Sequence, residues 1–188
     1  MKKLILTGLL LVFTNASGKD SHYPGLQVDV KRSGEQFTFN ASFDTPLTQC
    51  AAYQYLTDYE SAAAMPGVVE SSSVRQSAHK VRVERTAVEH VLFFQVRLHS
   101  VIEYNENPVD EISFKQISGD SKIFSGTWHI QPNRQGSTLK FHGLWEPDTL
   151  IPLFIIDHFA KNGLVDKFTA IAQLAEKRQN KIAPGCLE

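Results

Sequence analysis

Hydrophobic and polar residues alternate along most of this chain, and a period of two is typical of β-strands with one buried face. The clearest early case is the segment Gln36 to Phe43, in which every second residue is apolar. Residues 23–30 also alternate, and the turn residues 31–34 separate the two segments. The pattern therefore predicts two antiparallel strands that can pair as a hairpin.

Alternation resumes after residue 67 and continues almost to residue 146. We predict strands at residues 68–77, 80–91, 93–105, 110–118, 121–132 and 137–146. Only short turns separate these segments, so neighbouring strands are expected to be antiparallel. The alternation is interrupted between His90 and Phe94, where a turn or a bulge would fit, and the register there stays open.

The stretch between the second and third strands has helical character. A helix is predicted over residues 47–56, with Thr45 or Asp44 as its cap and Pro46 in its first turn. A second short helix is predicted over residues 59–64, before a Pro-Gly pair.

The last helical segment is longer. Apolar side chains recur every three or four positions over residues 152–177, which predicts one helix with a buried stripe, and Asn162-Gly163 is a candidate kink. The element order predicts an α+β fold. Its parts are a curled antiparallel sheet of six to seven strands, a long C-terminal helix, and two short helices after the first strands.

One helix cannot fill the whole concave side of a curled sheet, so the fold leaves room for a pocket. Gly126 and Gly143 fall in phase with aromatic neighbours and would leave space or permit a bend. Alternation alone shows a buried face, which equally fits an ordinary core. The candidate ligand-binding residues on the strands and on the last helix are Ile112, Phe114, Phe124, Trp128, Ile130, Leu139, Phe141, Trp145, Phe154 and His158.

Residues 1–18 have the pattern of a secretory signal peptide. Lys2 and Lys3 precede an apolar run of about ten residues, which is followed by small residues suited to cleavage. The run is too short to span a membrane as a helix, although an uncleaved N-terminal anchor is the alternative. We therefore expect an exported protein, periplasmic or secreted, whose residues 19–188 form one domain.

The chain contains two cysteines, Cys50 and Cys186. Disulfides persist in exported proteins, and a Cys50–Cys186 bridge would tie the C-terminal tail to the domain. Two unrelated thiols are the alternative. A metal site built from two cysteines without CxxC spacing is not expected.

Charge and motifs argue against several function classes. The net charge of −1 does not favour nucleic-acid binding. His99, His129 and His142 fall on the polar phase of their strands, without the spacing of a metal site or a nucleophilic triad. Arg85 or Glu89 would anchor a ligand headgroup if it faced inward, but we expect a solvated strand face. No catalytic residue, metal or cofactor is assigned.

Several segments in the second half of the chain resemble a known family. They are residues 112–122, the following Phe124-Ser125-Gly126-Thr127-Trp128, residues 136–139, Trp145-Glu146-Pro147 and Pro152-Leu153-Phe154. These are similar to the START-like (helix-grip, SRPBCC) superfamily, and to its polyketide cyclase/dehydratase and coenzyme Q-binding branch. The resemblance covers about residues 36–178 and implies a sheet that grips the C-terminal helix over a hydrophobic cavity. Glu103 stands where the family often carries an acidic residue.

Members of this superfamily bind lipids, quinones, sterols or polyketides, and a minority catalyse cyclisation or dehydration. The resemblance therefore implies that this protein binds an apolar or amphipathic small molecule, as a carrier or sequestering protein. A cyclase or dehydratase that uses polar groups in the cavity is one alternative, and a protein-interaction module that uses the groove is the other. Transient membrane contact during ligand exchange belongs to the first hypothesis.

Overall fold

A single antiparallel sheet contains all the strands of the computed structural model, which describes residues 23–91 and 94–179. The strands are β1 Gln27–Ser33, β2 Gln36–Thr45, β3 Val68–Ser77, β4 Lys80–Val91, β5 Phe94–Asn107, β6 Glu111–Gly119, β7 Ser121–Asn133 and β8 Gly136–Pro147. Their order across the sheet is β1-β2-β8-β7-β6-β5-β4-β3. The predicted helix-grip architecture is confirmed.

The sheet has eight strands, one more than the upper limit of the prediction. The reason is that β2 pairs with β8, so the N-terminal hairpin extends the same sheet that the later strands form. The alternating residues of β2 face the side that the sequence predicts, since Phe37, Phe39 and Phe43 are all buried on the concave side.

Two short helices connect β2 to β3: α1 at Gln49–Thr57 and a 3-10 helix at Glu60–Ala64. The capping prediction for α1 is wrong. Thr48 is the cap, and its hydroxyl accepts a hydrogen bond from the backbone N–H of Ala51 at 3.3 Å. Thr45 still belongs to β2, where it pairs with Ser137, so the helix cannot begin there.

The C-terminal helix, α2, runs from Leu153 to Arg178 without interruption at Asn162-Gly163, and a kink there stays a prediction. Its N-terminal half packs on Phe37 and Phe39 through Ile156, and its C-terminal half buries Phe168, Ala172 and Ala175 in the main core. No helix among the described residues is long and apolar enough to cross a membrane.

Candidate functional site

The predicted ligand-binding residues divide into three groups by burial. Ile112, Ile130 and Leu139 are almost completely buried on the concave face. They pack with Phe43 and Leu47 in the main core, near α1. Their side chains therefore fill the interior, as in an ordinary core. Phe114 is buried in the same core, at 7% exposed. Contact between any of these four residues and a ligand stays a prediction.

The two strand glycines do not leave open space. They pair with each other across β7 and β8. A Cβ atom on Gly126 would lie 2.8 Å from the ring of Phe114, and one on Gly143 would lie 2.7 Å from the ring of Phe141. The glycines thus let two aromatic rings lie directly on the sheet, and the rings occupy the volume that the sequence suggested was free.

Aromatic rings continue from these glycines to α2. Phe141 lies 4.9 Å from Trp128 and 5.3 Å from Phe168 of α2, measured between ring centroids. Phe114 lies 5.0 Å from Phe124 on the next strand. These separations are typical of packed aromatic pairs. Phe124, Trp128, Phe141 and Trp145 nevertheless remain partly exposed, although all four point to the concave side.

Phe154 and His158 form the third group, and the expectation that they face the interior is wrong. Phe154 is 69% exposed and His158 is also exposed. Together with Val30 and Asp157 they line an open groove of about 300 Å³ where β1 meets the start of α2. The buried stripe of α2 passes through Ile156, because the core contacts of β2 fix the rotation of the helix.

The hairpin of β4 and β5 shows where the concave face is open. Its proximal half is Val81, Val83, Ile102 and Tyr104, which are all buried. Tyr59, just before the 3-10 helix, covers this half, and its ring centroid lies 4.5 Å from that of Tyr104. The distal half continues the same alternation, but the concave-side residues whose burial the structure describes are only partly buried: Arg85, Ala87, Glu89, Val96, Leu98 and Ser100.

Arg85 and Glu89 lie on the concave side, where both are only partly buried. The two residues therefore face inward, as the headgroup alternative requires, while water still reaches them. Every second residue of a strand points to the same side, and Val81 and Val83 of β4 point to the core. Arg85 and Glu89 continue this series, so they point to the same side. Glu89 forms an ion pair with Lys167 of α2. The Nε atom of Arg85 donates to Ser71 Oγ at 3.5 Å. The distal half therefore combines apolar surface with charged groups.

Glu106 is a buried carboxylate at the end of the proximal half, and its side chain is only 3% exposed. Arg75 donates to both of its oxygens at 2.9 and 3.1 Å, and the hydroxyls of Tyr59 and Tyr53 donate at 2.9 and 3.3 Å. Burial alone would raise the pKa of Glu106, but the hydrogen bonds from Arg75 and Tyr59 outweigh it and hold the pKa below its ordinary value.

Glu106 is not among the site residues predicted from the sequence. The signal was present, because Ile102, Tyr104 and Glu106 are successive members of the same phase of β5. Glu103, which the family resemblance emphasised, belongs to the opposite phase and pairs with Lys80 at 3.0 Å. Burial of the Tyr53 hydroxyl, and then the charge of Glu106 beside it, raise the pKa of Tyr53 to about 12.

The convex face of the sheet carries the histidines that the sequence placed there. His129 approaches Glu111 at 3.4 Å and His142 approaches Asn40 at 2.9 Å. Both border a second open groove, of about 360 Å³, on the outer side of β1, β2, β7 and β8. Across the described residues, no group of three or more His, Cys, Asp or Glu side chains is placed to hold a metal ion.

Two predictions fall outside the described residues. The signal peptide at residues 1–18 is one of them. The disulfide is the other, since Cys50 lies in α1 and is not a free thiol, but Cys186 lies beyond residue 179. Both stay predictions.

Solved structures with the same fold come from several bacteria. A protein from Thermus thermophilus superimposes with a TM-score of 0.65 at 16% identity, over 75% of this chain and 95% of that one. A STAR-related lipid transfer protein from Xanthomonas axonopodis gives 0.64 at 11% identity, over 80% and 98%. The Zhui aromatase/cyclase from Streptomyces sp. R1128 gives 0.61 at 13% identity, over 76% and 95%. At such identities the likeness shows the fold alone.

Sequence comparison gives the family directly. No curated protein sequence matches this chain. A family model described as "Polyketide cyclase / dehydrase and lipid transport" matches residues 45–178, which include α1, strands β3 to β8 and all of α2. That match spans well over half of the chain and agrees with the helix-grip architecture. The chain therefore belongs to the polyketide cyclase/dehydrase and lipid transport family, within the START-like superfamily.

Proposed function

We propose that this protein binds a hydrophobic or amphipathic small molecule between the distal half of the β4–β5 hairpin and α2. The observation that carries the proposal is the partial exposure of apolar side chains that point to the concave side. Leu98, Val96 and Phe124 belong to this group, whereas the residues of the proximal half are buried. A binding site of this kind needs apolar surface that water can reach but that a ligand can cover.

The expected affinity follows from the area that a ligand would cover. Burying about 300 Å² of apolar surface contributes about 7 kcal/mol before the costs of association are subtracted, which corresponds to weak to micromolar binding. Both tryptophans of the chain, Trp128 and Trp145, lie on the concave side. Their fluorescence should therefore respond to a bound molecule.

Substitution at Ala87 tests the site. Ala87 points to the concave side of the distal half, and Ala87→Phe would fill it. We expect at least roughly fivefold weaker binding of N-phenyl-1-naphthylamine, a neutral apolar fluorescent probe. Thr86→Phe is the matched control, because Thr86 is the neighbouring residue on β4 and points to the convex side. Equal effects of the two substitutions, or no probe binding to the wild type, would contradict the proposal.

A cyclase or dehydratase activity is the second candidate, because Arg85, Glu89 and Lys167 bring polar groups to the same end of the concave face. Mass spectrometry of the ligand separates the two functions. A carrier returns the added molecule unchanged, whereas an enzyme of this kind returns a molecule of altered mass or ring structure. We expect unchanged ligand, because Glu89 and Lys167 are engaged with each other in an ion pair, which leaves neither group available as a general acid or base.

Ligand exchange at a membrane would use the exposed apolar residues near the start of α2. Leu150 is fully exposed and Phe154 largely so. We expect the Phe154→Asp variant to bind phosphatidylcholine vesicles less than the wild type in a flotation assay. Val74→Asp is the control, because Val74 is similarly exposed but lies on β3. Equal flotation of both variants would contradict this contact.

The predicted signal peptide at residues 1–18 indicates where the protein would act. A carrier or sequestering protein outside the cytoplasm would carry its ligand through an aqueous compartment. Fractionation of cells that produce the full chain, with the intact mass of the mature protein, tests the export. A mature protein that retains residues 1–18 in the cytoplasm would contradict it.

A further inference from the structure

The charged side chains on the concave face are paired, with one exception among the described residues. Glu106 accepts from Arg75, Asp157 of α2 lies 3.6 Å from Arg32, and Glu89 contacts Lys167. Arg85 is the exception, because none of the described carboxylates lies within 4.0 Å of its guanidinium. The concave face therefore carries one uncompensated positive charge in this part of the chain.

The partner that Arg85 does have leaves most of its hydrogen-bonding capacity unused. Its Nε atom donates to Ser71 Oγ at 3.5 Å, and that hydroxyl in turn donates to the carbonyl of Tyr59 at 2.7 Å. The terminal nitrogens Nη1 and Nη2 have no acceptor within the described part of the chain. A guanidinium presents these donors as a planar fork that matches the two oxygens of a carboxylate, or two oxygens of a phosphate.

The position of Arg85 is as informative as its charge. It is the first residue of the distal half, next to the covered proximal half, and it pairs with Ser100 on β5. Beyond it on the same side lie Ala87, Leu98 and Val96, which are apolar and partly exposed. A partly buried charge is costly unless something pairs with it, and here no described carboxylate does.

We infer that the ligand is an anionic amphiphile, whose acidic head is held by the guanidinium of Arg85 and whose apolar tail lies along the distal half, with Ser71 positioning the guanidinium. This inference rests on the proposed binding function and adds the class of headgroup to it. The acidic residue on the same side of β4 does not oppose it, because Glu89 is neutralised by Lys167. A neutral lipid with the same tail would leave the guanidinium fork unpaired and should bind less tightly.

The test compares oleate with oleyl alcohol, which share a tail and differ in the head. Binding is followed by tryptophan emission at ligand concentrations below aggregation. We expect the wild type to bind oleate at least roughly tenfold more tightly than oleyl alcohol, a difference typical of a charge-assisted bidentate contact. Arg85→Gln should remove this preference, by weakening oleate binding about tenfold while oleyl alcohol binding stays within about twofold.

Arg82→Gln is the matched control, because Arg82 lies on the same strand but on the exposed, convex side. It should leave both affinities within about twofold. Arg85→Lys keeps the charge without the fork and should restore part of the preference, which keeps the test valid if Arg85→Gln folds poorly.

Two outcomes would overturn the headgroup inference but not the binding function. They are equal affinities of the wild type for the two ligands, and equal effects of Arg82→Gln and Arg85→Gln. If the wild type bound none of the three molecules, oleate, oleyl alcohol and the naphthylamine probe, both the headgroup inference and the proposed binding function would be overturned.

Discussion

The two halves of the β4–β5 hairpin have the same alternating pattern and the same strand pairing, yet they differ in what covers them. In the proximal half, Val83 and Ile102 are at most 1% exposed. In the distal half, their successors Arg85 and Ser100 are partly exposed. One half thus contributes to stability through packing, and the other leaves a surface that can bind.

The cover explains the difference. Tyr59 lies over the proximal half, where its hydroxyl donates to Glu106 and its carbonyl accepts from Ser71. The distal half lies beyond Ser71. There an ion pair between Glu89 and Lys167 connects the hairpin to α2. A surface bridged by an exposed ion pair is held less firmly than one closed by aromatic packing.

Truncating a side chain in each half should give the largest contrast. Ile102→Ala removes a buried side chain and should destabilise the protein by about 3 to 4 kcal/mol. Leu98→Ala, on the same strand and the same side, should cost about 1 kcal/mol because Leu98 is already partly exposed. Urea unfolding measures both values. Equal losses would mean that the distal half is as well packed as the proximal half.

The buried carboxylate should give the next largest effect. Glu106→Gln weakens its contacts with Arg75, Tyr59 and Tyr53 and should destabilise the protein by about 2 to 3 kcal/mol at neutral pH. Glu103→Gln is the control, because its ion pair with Lys80 lies on the opposite face, and a surface pair of this kind contributes at most about 1 kcal/mol.

The pH dependence of this effect has a definite sign. Folding lowers the pKa of Glu106 below its ordinary value of 4.5. The ionised carboxylate therefore stabilises the native state fully at pH values above 4.5. This stabilisation is lost as pH falls through the lower pKa of the folded state. The stability difference between the wild type and Glu106→Gln should therefore shrink in acid. A difference that stays constant from neutral pH into acid would show that ionisation of Glu106 does not contribute.

The ion pair across the distal half should give the smallest effect. Lys167→Gln should lower the free energy of unfolding by about 0.5 kcal/mol, since both side chains are partly exposed to water. High salt should lower the free energy of unfolding of the wild type towards that of the variant, because salt screens the ion pair. Lys140→Gln, at an exposed position on the convex side of β8, should have no measurable effect. A loss above about 2 kcal/mol for Lys167→Gln would mean that the distal half is closed.

Most of the site-bearing elements could be predicted from the chain, but the details of the site could not. The strand bounds for β3 and β4 agree with the alternation to the residue. Phe154 and His158 were expected inside and lie outside, because the helical repeat defines a stripe but not the rotation of the helix against the sheet. That rotation is set by Ile156 packing on Phe37 and Phe39.

The sequence by itself determined the antiparallel strands, the long last helix and, on strands with a clear apolar alternation such as β2, the side that faces inward, because these follow from local periodicity. It also contained the phase that places Arg85, Glu89 and Glu106 on the concave side. Only the tertiary structure decided which concave residues are covered. The covering groups are distant in sequence, with Tyr59 lying 47 residues from Glu106 and Lys167 lying 78 residues from Glu89. Long-range packing of this kind leaves no local pattern, and it separates the half of the hairpin that forms core from the half that can hold a ligand.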